Sequence, residues 1–169
     1  SNLCDQFHLS MQSGCDTVLK RMGRKYDTER FYRSVTLLRE YFPNCGITTD
    51  MITGFPGETE EEFAQSLSFI KKCAFSDMHI FPYSQRPGTP AAEMPDQVKK
   101  SVKHSRAARA SEIAAEMKKV FLSSCIGKDY PVLFETGQDG FAHGHTPNYC
   151  EAAVLTDRDL KGQILNVRI

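Results

Sequence analysis

Thr48-Thr49-Asp50-Met51-Ile52-Thr53-Gly54-Phe55-Pro56-Gly57-Glu58-Thr59-Glu60-Glu61-Glu62-Phe63 reads as a strand, a tight Gly-Pro-Gly turn and a capped helix. Gly54 and Gly57 reach backbone angles closed to other residues, and Pro56 holds φ between them. Thr59 followed three residues later by Glu62 is a capping-box pattern, and acid in the first turn suits the helix dipole. A βα junction at the carboxyl end of a parallel strand is where α/β proteins place ligands. The same turn also serves structure alone, so both uses stay open at this point.

Outward from that stretch, strand and helix patterns alternate. Phe7, Leu9 and Met11 alternate with His8, Ser10 and Gln12, the period of a strand, with one set facing a barrel lumen. A short helix runs from Asp16 through Leu19 and Met22 to Gly23. Asp27 caps a second helix whose Phe31, Val35, Leu38 and Phe42 fall at helical spacing. Residues 47–53 form the next strand, and Phe63, Leu67 and Ile70 face the core from the helix after the turn. Residues 78–84 form a third strand and feed the loop Gln85-Arg86-Pro87-Gly88-Thr89-Pro90. Three such alternations require parallel strands joined by crossovers, hence an α/β fold.

Residues 96–123 read as one long helix with Val98, Val102, Ala110, Ile113, Met117 and Val120 on its apolar side. Seven Lys/Arg against three Asp/Glu between residues 95 and 122 make this segment basic by +4, either a solvated face or one turned to phosphates. Arg106 lies in the apolar stripe, where its stem packs while its head reaches solvent. At Ile126-Gly127 the pattern changes to short strands, at 130–134, 141–145, 150–155 and 163–169, separated by turns. The division is therefore 1–124 and 125–169, the second a small all-β barrel. With four Lys/Arg and six Asp/Glu, its net charge does not advertise nucleic acid.

The 169 residues carry no net charge, 40% are apolar and 25% charged, so neither a global field nor an extreme composition marks the chain. No run of about 18 apolar residues implies a membrane span, and the first residues hold no signal-peptide pattern, which favours the cytoplasm. Cys4, Cys15, Cys45, Cys73, Cys125 and Cys150 show neither C-x-x-C nor C-x-x-x-C-x-x-C spacing. They read as scattered reduced thiols, with no metal site of the chain's own.

Three segments together resemble the radical S-adenosylmethionine methylthiotransferases. They are His8-x-Ser10-x-Gln12-Ser13-Gly14 with Leu19-Lys20-Arg21-Met22-x-Arg24-x-Tyr26, Thr49-Asp50 through Glu58-Thr59, and Pro82-Tyr83-Ser84-x-Arg86-x-Gly88-Thr89-Pro90-Ala91. The tail, with Ile126-Gly127-Lys128, Val132-Leu133-x-Glu135, Thr146-Pro147-Asn148-Tyr149 and Leu160-Lys161-Gly162, is similar to the family's TRAM domain. The resemblance implies a partial, half TIM-like barrel followed by a TRAM β-barrel. His79 to Ser84 with Arg86 most resembles the branch acting on threonylcarbamoyladenosine near the tRNA anticodon. The neighbouring branches act on isopentenyladenosine or a ribosomal protein, and a non-catalytic RNA-binding module is the alternative of another kind.

The resemblance further implies S-adenosylmethionine, two 4Fe-4S clusters, tRNA, and a reductant such as flavodoxin or ferredoxin. The cluster cysteines of the family are absent from these residues, so the chain is expected to be the rear part of a longer enzyme. Alone it is expected to be inactive, with no catalytic residue assigned and with either self-association through an open barrel edge or a disordered opening segment. Carried over residue by residue, Gln12 and Arg24 would hold the ribose and carboxylate ends of S-adenosylmethionine, and Asp50 its ribose hydroxyls. Ile52, Phe81 and Tyr83 would line the adenine pocket. Each polar residue also has a plain reading: Gln12 finishing a strand, Arg24 pairing with Asp27, Asp50 capping a turn. His8 and Ser10 share the parity of Gln12, His8 as a satisfied buried histidine or a group near substrate. His143, His145, Asn148 and Tyr149 would grip RNA.

Overall fold

The computed structural model describes residues 3–169; Ser1 and Asn2 lie outside the described residues. Strands β1 (Gln6–His8), β2 (Gly46–Thr53) and β3 (Asp77–Pro82) form a parallel sheet in that order. Between them run helices α1 (Asp16–Arg21), α2 (Thr28–Tyr41) and α3 (Glu60–Cys73). Asp27 caps α2 by accepting from the Arg30 N–H. Thr59 and Glu62 close the capping box on α3 in both directions. Both caps are those the residues predict.

The sheet is covered on one face only. Ile47, Thr49, Met51 and Met78 point to the helices, where Phe31, Val35, Phe63, Ile70, Phe75, Ala110 and Ala114 complete a dry core. The alternate residues Thr48, Asp50, Ile52, His79 and Phe81 stand on the other face, partly or largely exposed. This period-2 split is the ordinary consequence of the pleat.

The first strand is shorter than its alternation predicts. Register moves from His8 opposite Thr48 to Gln12 opposite Met51, which leaves one extra residue on the first chain. The buried hydroxyl of Thr49 fills the gap, accepting from the Met11 N–H at 3.0 Å and donating to the Leu9 carbonyl at 2.5 Å. The loop after β3 also departs from expectation: Pro90–Glu93 form a short helix, α4, with proline at its first position.

The long helix α5 spans Lys100–Cys125. It starts later than the pattern predicts because Asp96 takes a left-handed φ of 58°, which an α-helix does not admit. Its buried face is Arg106, Ala110 and Ala114, at i, i+4 spacing, whereas Val120 is 69% exposed. Small residues let the helix lie close on the sheet. Arg106 does not reach solvent: its Nη1 donates to Glu58 Oε1 at 2.9 Å and to the Glu58 carbonyl at 3.0 Å. Glu58 in turn accepts the Gly54 N–H at 2.8 Å. Lys103, Arg109 and Lys118 bind the Tyr83 carbonyl, Glu60 and Asp77, so four of the seven cations serve internal pairs.

After α5, β4 (Asp129–Gln138), β5 (Phe141–His145), β6 (Glu151–Leu155) and β7 (Ile164–Arg168) make an antiparallel sheet in the order β6-β5-β4-β7. It curls round Val132, Phe134, Ala142, Ala152 and Leu160. A register shift between Phe134 and Thr136 bends β4. No hydrogen-bonded pairing joins β6 to β7 among the described residues. Asn148 joins the two sheets: its Nδ2 donates to the Asn44 carbonyl at 3.0 Å, and a Cβ on Gly46 would stand 2.4 Å from the Asn148 oxygen.

Two expectations follow. Arg106→Met leaves Glu58 buried without its counter-charge and lowers unfolding free energy by about 3–5 kcal/mol in urea titration. Glu58→Gln, which keeps an acceptor for Gly54, costs less. Second, hydrogen bonds from Arg21, then Thr17 and the Thr59 N–H, hold the Glu62 carboxyl at about 2 against burial. A depressed folded pKa adds stability above the ordinary value of 4.5 that is lost as pH falls toward about 2. Melting temperature followed from pH 5 to pH 2 should therefore fall less steeply in Glu62→Gln than in the unsubstituted chain.

Candidate functional site

The carboxyl ends of β2 and β3 and the turn after β1 enclose a cleft of about 580 Å³. Its wall includes Gln12, Asp50, Ile52, Phe81, Tyr83 and Arg86. Five of the six residues assigned to a cofactor thus come together, from three segments distant in sequence. Arg24 is exposed and does not line this cleft. It lies close enough to Tyr26 to oppose the rise that burial imposes on that phenol. The Tyr26 hydroxyl donates to the Ser10 and Met11 carbonyls, beside the turn that carries Gln12. Asp27 caps α2, and no ion pair joins it to Arg24 among the described residues.

Gln12 sits in a strained backbone position. Its φ is 66°, and the Ser13 N–H donates to the Met11 carbonyl at 2.8 Å, the three-residue pattern of a γ-turn. A left-handed glutamine costs energy that glycine would not, and such outliers gather at ligand sites. The turn is pinned by the Gln12 N–H on the Asp50 carbonyl and the Ile52 N–H on the Gln12 carbonyl, each 2.9 Å.

Asp50 is held on one side only. His8 Nε2 lies 3.1 Å and Ser10 Oγ 3.2 Å from its Oδ2. His8 Nδ1 lies 3.0 Å from Thr48 Oγ1, which also accepts from Gln6. His8 is therefore neither buried nor a core residue; it stands on the open face, 42% exposed. Nor does Asp50 cap a turn. Phe81 is 53% exposed, an apolar surface facing the opening, and stacks at its edge on His79. The Tyr83 hydroxyl is buried with no partner.

An adenosyl ligand would meet here a carboxylate for a ribose diol and an aromatic and an aliphatic wall for a base. Arg86 supplies a cation on the same wall, which the reading from residues did not assign. The Arg-x-Gly-Thr loop was its only signal.

The residues assigned to RNA divide. His145 and Tyr149 stack at 4.5 Å, with His145 Nδ1 on Glu135 at 2.6 Å. Tyr149 is 65% exposed, and His143 lies 3.9 Å from Glu151. Asn148 is 2% exposed, its amide committed to Thr146 and Asn44, so its surroundings are those of a structural joint. The buried thiol of Cys73 is pushed up to about 12 by desolvation, that of an inert core cysteine. Among the described residues no group of His, Cys, Asp and Glu has the arrangement of a metal site, and no helix is long and apolar enough to cross a membrane.

The family profile described as the Radical SAM superfamily matches residues 1–70. Threonylcarbamoyladenosine tRNA methylthiotransferase of Bacillus subtilis is 39% identical over 172 residues, covering 99% of this chain and 38% of that protein. tRNA-2-methylthio-N(6)-dimethylallyladenosine synthase of Symbiobacterium thermophilum is 39% identical, covering 99% of this chain and 36% of its own length. The synthase so named in Mycobacteroides abscessus is 40% identical, with coverages of 99% and 32%. The chain spans a third to two fifths of the length of these curated relatives. Over 99% of its residues the chain is thus similar to these three proteins, and residues 1–70 match the radical SAM superfamily profile.

Proposed function

We propose that this chain is the rear part of a tRNA methylthiotransferase, acting on C2 of an N6-modified adenosine near the anticodon. Residues 1–124 are half of a TIM-like barrel and 125–169 a TRAM domain. The observation that carries the reading is the convergence of Gln12, Asp50, Ile52, Phe81 and Tyr83 on one cleft beside the carboxyl ends of parallel strands. In this reading Asp50 accepts from ribose hydroxyls, Ile52, Phe81 and Tyr83 hold the adenine, and Gln12 and Arg24 take the polar ends of the ligand, with Arg86 on the same wall.

When bound, S-adenosylmethionine and two 4Fe-4S clusters supply the methyl donor and the one-electron chemistry of the reaction. The cluster ligands belong to protein outside these residues, because no cysteine here has cluster spacing. A flavodoxin or ferredoxin serves as reductant, in the cytoplasm. The half-buried His143 and His145 and the exposed Tyr149 meet the tRNA, with Asn148 holding their loop from within.

The preferred substrate is threonylcarbamoyladenosine, supported by the His79–Ser84 segment with Arg86. The relatives named for dimethylallyladenosine match as well as the one named for threonylcarbamoyladenosine, so product analysis decides. The full-length protein should convert threonylcarbamoyladenosine in tRNA to its methylthio derivative, read by mass spectrometry of nucleoside digests. Cofactor cleavage with no methylthio nucleoside would reject the assignment; conversion of dimethylallyladenosine alone would move it to the other branch. The chain by itself should yield no product.

Both edges of the parallel sheet, β1 and β3, are unpaired among the described residues. The 169-residue chain should therefore self-associate. Light scattering at rising concentration should give a mass above that of the 19.0 kDa monomer; a constant monomer mass would refute it.

A further inference from the structure

The open face carries a hydrogen-bond chain that the cofactor reading leaves unused. It runs from Gln6 Nε2 to Thr48 Oγ1 at 3.3 Å, to His8 Nδ1 at 3.0 Å, and from His8 Nε2 to Asp50 Oδ2 at 3.1 Å. Ser10 Oγ joins at Asp50 Oδ2 and lies 3.2 Å from His8 Nε2. These contacts all fall on one oxygen of Asp50. No protein group is bonded to Oδ1 among the described residues.

A carboxylate only accepts, so Oδ2 takes the Ser10 hydroxyl proton and the proton on His8 Nε2. Nδ1 then accepts from the Thr48 hydroxyl, which itself accepts the Gln6 amide. With the proton on Nε2, the hydrogen bonds run in one direction, from the Gln6 amide to Asp50. The side chain of Asp50 cannot turn about its last bond without breaking two contacts. Asp50 itself lines the cleft that Gln12, Ile52 and Phe81 share, so these contacts set its orientation in that wall.

We infer that His8 and Ser10 are positioning residues that orient Asp50 for a ligand bearing a vicinal diol. This rests on the adenosyl reading of the cleft and adds the device that sets its sugar selectivity. An aspartate free to rotate would still attract donors, but would not hold one lone pair toward two adjacent hydroxyls. Neither residue lines the cleft. His8 instead borders a second cavity of about 730 Å³ below the cleft, with Gln6, Thr48 and His79. Its exposure makes replacement tolerable to the fold.

The test is calorimetric titration of the 169-residue chain with adenosine and with 2′,3′-dideoxyadenosine, alongside melting temperatures. The chain should prefer adenosine, and Asp50→Asn should abolish the preference. His8→Ala should weaken adenosine about tenfold, and Ser10→Ala about three- to tenfold, as expected for lost bonds to a charged group. Dideoxyadenosine binding and melting temperature should hardly move. His8→Gln, whose amide reaches Oδ2 with a donor, should restore most of the preference. An Asp50-dependent preference left intact by both His8→Ala and Ser10→Ala would overturn the positioning role while the adenosyl reading stands. A chain with no Asp50-dependent preference would overturn that reading and this inference together. Equal loss for both ligands would mark a structural role and also overturn the inference.

Discussion

The buried pair between Glu58 and Arg106 is the constraint on which the rest depends. Two left-handed glycines, Gly54 at φ 70° and Gly57 at 73°, flank a turn that has no ladder of its own. Glu58 reaches back to the Gly54 N–H, and Arg106 reaches in from α5, with Glu58 5% and Arg106 5% exposed. The Gly57 N–H meanwhile closes on the Asp96 carbonyl. Burial pushes the Glu58 carboxyl upward, against the Gly54 N–H and the guanidinium. Such a pair does little for net stability relative to apolar packing, yet it admits few alternative arrangements. It sets where β2 ends, where α3 begins and how α5 crosses them.

That fixed edge gives the other face of the sheet its meaning. Helices α2, α3 and α5 pack on one side, and the polar residues of the open side are held to one another rather than to a core. A sheet face with an oriented carboxylate, an exposed phenylalanine and a strained glutamine is costly to keep without a ligand. Similarity to the radical SAM methylthiotransferases supplies the chemical context for it. The joint at Asn148 brings the β5–β6 loop to the lower end of the same face, so His145, Asn148 and Tyr149 wall the second cavity with His8 and His79.

Much of this was legible in the residues. Turn chemistry is local, so Thr59, Glu62, Asp27 and the Gly-Pro-Gly run announced their caps and turn without help from distant contacts. Alternation over residues 7–12 separated Phe7, Leu9 and Met11, which pack on the core, from His8, Ser10 and Gln12, because side-chain parity in a strand admits no third choice. The family resemblance, rather than local pattern, brought Gln12, Asp50, Ile52, Phe81 and Tyr83 into one list. The parallel pairing of β1, β2 and β3 then placed them on one cleft.

What failed depends on partners far along the chain. The fate of Arg106 turned on Glu58, 48 residues away, and a lone arginine in an apolar stripe does not reveal its counter-charge. The same holds for α5, whose small alanines rather than its valines face the sheet because close approach outweighs side-chain hydrophobicity there. His8 became an orienting group only when Asp50 met it across the ladder, and Asn148 became a joint only when Gly46 left room for it. Local propensity and periodicity determined the elements and their order. Tertiary structure alone decided which charges are buried, which face stays open and which oxygen of Asp50 is left free, since each is set by contacts the linear order does not encode.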